Sequence, residues 1–266
     1  MSRKVAVSSR GFTLVELLLV VTILAVLAGL ILPVVAGLRT KAKAIQCRAS
    51  MKQFGAALSM YAEDSLDSIP PNRTGIVPSG QTWVSGWVTP RSPDGTNRTF
   101  LRKSLLWDYV KEESLWHCPG DSSKIMLGGA EYDRVRSISM NYYMGANWRI
   151  ETRLTYHKLA EITRPSPSDA FVFTDERPET INDGAFVVDP AFNVDHQADW
   201  RVIDLPGNFH GAGTGMAFAD GHSEIHLWED QRTAAASYPY QSMGFNWDMQ
   251  WLDVHSSAPP VPIGSR

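Results

Sequence analysis

The chain has 266 residues, 44% of them hydrophobic and 20% charged, which is ordinary globular material for one domain or one domain plus an appendage. Its formal net charge is −3, and because Arg3, Lys4 and Arg10 all precede Phe12, the chain from Phe12 onward carries −6. So acidic a chain has no basic face for nucleic acid, and no direct nucleic-acid binding is expected.

The first element in chain order is a helix. From Leu14 to Leu32 there is one charge, Glu16, and one threonine, Thr22. At about 1.5 Å per residue this run is roughly 28 Å long, enough to span a bilayer. A cleavable secretory signal is the competing reading, with a basic start and with Val34 and Ala36 as small residues before a cut. The run is longer than the roughly 7 to 15 apolar residues of such signals, and helix-forming sequence continues beyond it. An acid near the centre of a membrane helix costs about 2.5 to 3.5 kcal/mol, less near an interface, so Glu16 needs a partner. Pro33 either ends the helix or kinks it, because proline removes one backbone bond and clashes with the carbonyl four residues back.

Residues 10 to 16, Arg-Gly-Phe-Thr-Leu-Val-Glu, followed by the apolar run, resemble the processing motif of type IV prepilins and type II secretion pseudopilins. The resemblance implies a leader of residues 1–11, cleavage between Gly11 and Phe12 by a prepilin peptidase, and N-methylation of Phe12. It implies that Glu16 neutralises the terminal amine of a neighbouring subunit, and that Pro33 kinks the helix. The partners implied are the peptidase/N-methyltransferase, other pilin-like subunits, the assembly machinery and, before assembly, the inner membrane. Localisation would be single-pass in the inner membrane with an extracytoplasmic head, and the role would be structural, not enzymatic.

Beyond the membrane stretch (12–37), residues 38–64 carry an apolar seam in which Cys47, Met51, Phe54, Leu58 and Tyr61 recur at helical spacing, with Arg48, Lys52 and Glu63 off it. This predicts an amphipathic continuation of the same helix, its seam packed on a head. Cys47 to Gln53, with Tyr61 and Asp64 downstream, is similar to an element of prepilin-like proteins with large C-terminal heads, although Ser50 and Met51 depart from that pattern.

After Asp64 the texture turns to Ser, Pro and Gly, and short alternating runs follow at 170–174, 184–188, 215–219 and 222–228. The fold class expected is α+β and pilin-like: a long N-terminal helix on a mainly antiparallel β head (65–266), ending in a flexible tail from Ser256.

Several constellations could carry chemistry. His210, followed after nine residues by Asp220-Gly221, resembles an H-x9-DG signature of that same subgroup. Physically, Asp-Gly between alternating runs signals a hairpin, here within 210–228, with a type I′ turn expected. Alternation would put His222, Glu224 and His226 on one strand face, as a metal ladder or simply a solvated face. His210 is expected to anchor its Gly-rich loop by a hydrogen bond. Asp175, Glu176 and Asp183, with Glu179, form an acid cluster whose hard oxygens suit a structural calcium or only solvent. If the head is extracytoplasmic, an oxidising compartment permits a disulfide between Cys47 and Cys118, the latter in a Cys-Pro-x-Asp motif similar to the subgroup; two buried thiols are the alternative. Trp83, Trp87, Trp247 and Trp251 lie in loop-like sequence and suit a carbohydrate surface, whereas Trp107, Trp116 and Trp228 read as core. The competing class is thus a membrane-tethered enzyme or ligand-binding head that uses the leader only for export.

Overall fold

The computed structural model describes residues 12–148, 153–188 and 201–259, with side chains inside helix α1 left aside at 31–34 and 36, and that of Arg201 likewise. Gly11, the expected leader and the last seven residues lie outside the described residues. The chain divides into two compact units, Met1–Lys41 and Ala42–Arg266. Helix α1 (Leu14–Asp64) contributes to both. It runs unbroken through position 33, so Pro33 does not end it.

In the first unit the described side chains from Phe12 to Leu30 are exposed and, apart from Thr13, Glu16 and Thr22, apolar. Among the described residues, no helix is long and apolar enough to cross a membrane. The spanning segment expected over 12–37 is therefore not shown, because its second half includes side chains outside the description.

The second unit is built on a five-stranded sheet, ordered β5 (Ala185–Phe186), β3 (Ile138–Asn141), β4 (Phe171–Asp175), β7 (Gly213–Phe218), β8 (Ser223–Leu227). Only the β3–β5 pair is parallel. Two small ribbons flank it, β1 (Lys124–Leu127) with β2 (Ala130–Asp133), and β6 (Arg201–Val202) with β9 (Gln241–Ser242). Short helices α2 (Thr99–Arg102) and α3 (Gln231–Ala235) and the longer α4 (Trp247–Ser256) complete it. The α+β expectation holds, and each of the four apolar runs named in the sequence overlaps a strand of the central sheet.

The seam packs as its spacing requires. Cys47, Met51, Phe54 and Leu58 are buried and Tyr61 is half-buried, while Arg48, Lys52 and Glu63 are exposed. Phe54 meets Trp116 edge-on, with ring centroids 4.9 Å apart, and Phe173 at 5.4 Å. The opposite sheet face buries Phe171, Met216 and Phe218 against Trp228, Met249 and Leu252. Helix α4 supplies the last two, and its start is fixed by Asn246, whose Oδ1 accepts the N–H groups of Asp248 and Met249.

Three expectations are corrected. The β7–β8 turn is not type I′, since Gly221 has φ +83° but Asp220 does not share a positive φ. The Gly221 N–H reaches the Phe218 carbonyl and Phe218 pairs with His222, leaving a three-residue loop closed by one left-handed glycine. Trp83 is core rather than surface: it stacks on Trp116 and donates to the Gly184 carbonyl at 2.9 Å. The chain from Ser256 is not loose at its start, because Ser256 and Ser257 are buried and the Ala258 carbonyl accepts the Leu154 N–H.

Candidate functional site

At the head of α1, Thr13 precedes the first helical residue and Glu16 is the third within it. Glu16 Oε2 accepts from the Thr13 N–H at 2.9 Å and from its hydroxyl at 2.7 Å, and Thr13 Oγ1 lies 3.3 Å from the Glu16 N–H as acceptor. This is a reciprocal capping box: two helix-end donors are satisfied by the Thr-x-x-Glu spacing. From the sequence, Glu16 reads as a costly charge and, by resemblance, as the partner of a neighbouring subunit's amine; the Thr13 to Glu16 spacing is the signal for this capping role. Phe12 is 74% exposed beside it. An accessible start, a capped acid and an apolar helix exposed on all sides together form a surface that water does not favour.

The second concentration of functional groups is buried in the head. Cys47 from α1, Cys118 from the loop before β1, Asp175 at the end of β4 and His210 from the loop before β7 each offer a ligand atom, all within 4.8 Å of one another. Both cysteines are free thiols, so the disulfide is not formed. Cys47 Sγ–H donates to Asp175 Oδ2 at 2.8 Å, and Cys118 Sγ lies 3.1 Å from His210 Nε2. The His210 N–H also bonds the Gly213 carbonyl, which closes its loop as expected. Its Nδ1 is buried with no hydrogen-bond partner among the described residues.

Local structure explains how these groups meet. Phe171 faces one core and Phe173 the other, because the β4–β7 register shifts between them. That bulge turns Phe173 and Asp175 toward α1; without it Asp175 would share the face of Phe171. On β7 the residues facing α1 are small, and a Cβ on Gly215 would stand 2.4 Å from Cys47 Sγ. Glycine there is what lets the helix approach.

Electrostatics of the cluster follow from burial. The Cys47 thiol is pushed far up by its hydrogen bond with Cys118, by burial and by the Asp175 charge. Burial raises Cys118 and lifts Asp175 to about 6, and it lowers His210, helped by Lys43.

The calcium expectation does not survive. Asp175 and Glu176 are adjacent on an extended segment and point to opposite sides. Glu176 accepts from the Ser139 hydroxyl at 2.6 Å, while Asp183 accepts the backbone N–H groups of Gly75 and Ala185. Among the described residues these three do not converge. The strand ladder converges only in part: His226 Nδ1 lies 3.3 Å from Glu224 Oε1 and its ring stacks on Trp251 with centroids 3.8 Å apart, while His222 turns to Asp220. Asp220 and Gly221 serve the fold, with the Gly221 carbonyl accepting from Lys52 Nζ at 2.6 Å. His210 and Asp220 sit at opposite ends of β7. Of the surface tryptophans, Trp247 is exposed and, with the half-buried Trp251, lines a cleft of about 460 Å³; Trp87 is half-buried elsewhere.

The N-terminal end, a capped acid at the start of an exposed apolar helix, is where the likeness to known proteins falls. Residues 7–32 match the family described as the prokaryotic N-terminal methylation motif. The type II secretion system core protein G of Pseudomonas aeruginosa is 34% identical over 82 residues, which span 29% of this chain and 57% of that protein. The chain thus spans little more than half the length of the curated relative it matches. No solved structure matches.

Proposed function

We propose that this chain is a pseudopilin-like structural subunit of a type II secretion or type IV pilus-like filament. A prepilin peptidase removes the leader after Gly11 and methylates Phe12, and the N-terminal helix anchors the subunit in the inner membrane with its head extracytoplasmic. The carrying observation is the N-terminal geometry: Phe12 accessible, Glu16 held at the helix end, and apolar side chains exposed all round the helix. In a bilayer, and then in a helix bundle, those side chains leave water. A Phe12 amine from one subunit and a Glu16 carboxylate from another replace two poorly solvated charges by a pair. The work is assembly, not catalysis. A catalytic or sugar-binding head is the weaker reading, because the family likeness covers residues 7–32 and the relative is named a core protein of a secretion system.

The capping box sharpens the test. Glutamine keeps a capping oxygen at the third helical position but not the charge. Glu16→Gln is therefore expected to be processed, as read by intact mass, and to fail in filament assembly. Normal assembly of Glu16→Gln would reduce Glu16 to a helix cap and remove the charge-pairing mechanism.

A further inference from the structure

We propose that Cys47, Cys118, Asp175 and His210 bind one tetrahedral transition-metal ion, zinc by its donor set, which pins the N-terminal helix segment Ala42–Asp64 to the sheet. The four groups come from four separate segments, all within the second unit, and all four are buried.

The donors suit the ion. Zinc takes cysteine sulfur at about 2.3 Å, imidazole nitrogen at about 2.0 to 2.1 Å and carboxylate oxygen at about 2.0 to 2.2 Å, and structural sites have four protein ligands. Those bond lengths set tetrahedral edges of roughly 3.3 to 3.8 Å. The observed contacts of 2.8 and 3.1 Å, and the 4.8 Å limit on every pair, bracket such edges. Side-chain shifts of about an ångström close the tetrahedron. Hard oxygen-seeking ions are disfavoured by two sulfurs, which also distinguishes this centre from a calcium site.

The surroundings favour a cation as well. Asp175 is wholly buried, and among the described residues its hydrogen-bond donors are the Cys47 and Cys118 thiols, the Ser137 hydroxyl at 3.3 Å and the Gly215 N–H at 3.3 Å, none of them a cation. A buried carboxylate is ordinarily paired or metal-bound. Binding releases the two thiol protons to solvent, leaving two thiolates and one carboxylate around a dipositive ion, with a neutral imidazole. The resulting charge of −1 meets N–H donors already in place: Gly120 N–H points to Cys118 Sγ at 3.3 Å and Gly215 N–H to Asp175. Such outer contacts orient ligands and tune affinity. With four protein ligands and no exposed edge, the centre is structural, and its binding energy is folding energy. A disulfide would consume both sulfurs, so the two states exclude each other.

The test uses the full chain purified in detergent, with Zn²⁺ and Co²⁺ as the only probes. One zinc per chain by mass spectrometry is expected, with two sulfurs in the zinc X-ray absorption shell. Cobalt exchange should give thiolate-to-metal charge transfer and the intense visible bands of a tetrahedral ion. Cys118→Ser and His210→Gln should lose the metal, Ser137→Ala should weaken it by about 10 to 100-fold, and the strand variant His222→Ala should leave it intact. If the ligand variants do not fold, the wild-type absorption shell and cobalt spectrum decide alone. Substoichiometric metal in folded chain after incubation with zinc, a shell without sulfur, or a Cys47–Cys118 linked peptide overturns the proposal.

Discussion

Phe54→Ala tests whether the second half of α1 belongs to the core of the head. The ring is fully buried and contacts Trp116 edge-on at 4.9 Å and Phe173 at 5.4 Å. Truncating such a ring removes its transfer energy and leaves a cavity, about 3 to 5 kcal/mol together, of which each aromatic pair accounts for about 0.5 to 1.5. In a unit of this size 1 kcal/mol shifts Tm by about 2 to 4 °C, so a fall of roughly 6 to 20 °C is expected. Urea and thermal unfolding of the full chain in mild detergent, followed by tryptophan fluorescence, would measure it. Of the nine tryptophans, Trp116 touches the mutated ring and Trp83 stacks on Trp116, so part of the signal reports the site directly. The exposed Met60 on the same helix is the control, and Met60→Ala should change stability by less than about 0.5 kcal/mol. Equal, small shifts for both variants would refute the placement of the seam.

Other outcomes follow from single contacts. Asp204 is buried, which raises its pKa to about 8, with Asp183 adding to the rise. The folded state then holds a proton that the unfolded chain releases above its ordinary value near 4, so this stabilisation is full below that value and lost as pH rises to about 8. Asp204→Asn should flatten the decline in urea midpoint between pH 5 and pH 8; parallel profiles would contradict it. A Cβ on Gly221 meets nothing within 4 Å, yet φ is +83°. Gly221→Ala should therefore cost about 1 to 2 kcal/mol from backbone strain alone, read as a lower urea midpoint. Arg153 Nη2 lies 2.6 Å from both carboxylate oxygens of buried Asp253. Arg153→Met should cost about 1.5 to 3 kcal/mol in the same assay, because it removes a charged donor from a buried acid.

Local patterns carried the sequence reading where one period or one spacing decides the outcome. The seam from Cys47 to Tyr61 was legible because a helix repeats every 3.6 residues, and the strands at 171–175 and 213–218 because alternating apolar runs ended at turn residues. Trp83 was misplaced because its neighbours read as loop, although a buried loop indole is satisfied by one carbonyl, that of Gly184. Helix α4 went unseen because its buried apolar residues, Met249 and Leu252, share ten positions with polar residues and with the exposed Trp247 and Val254, and only packing against Trp228 and Phe218 gives them a face.

By itself the sequence determined the N-terminal motif, from Gly11 through Glu16 into an apolar run, since cleavage signals and helix caps are read over consecutive residues. Only the tertiary structure decided which groups the two cysteines meet. A one-residue bulge in β4 and a glycine at 215 set which face Asp175 takes and how close α1 comes. No local pattern encodes that choice, because pleat direction and interhelical distance depend on pairing partners far away in the chain. Four residues that looked like a disulfide pair, a calcium ligand and a loop anchor thereby become one buried cluster.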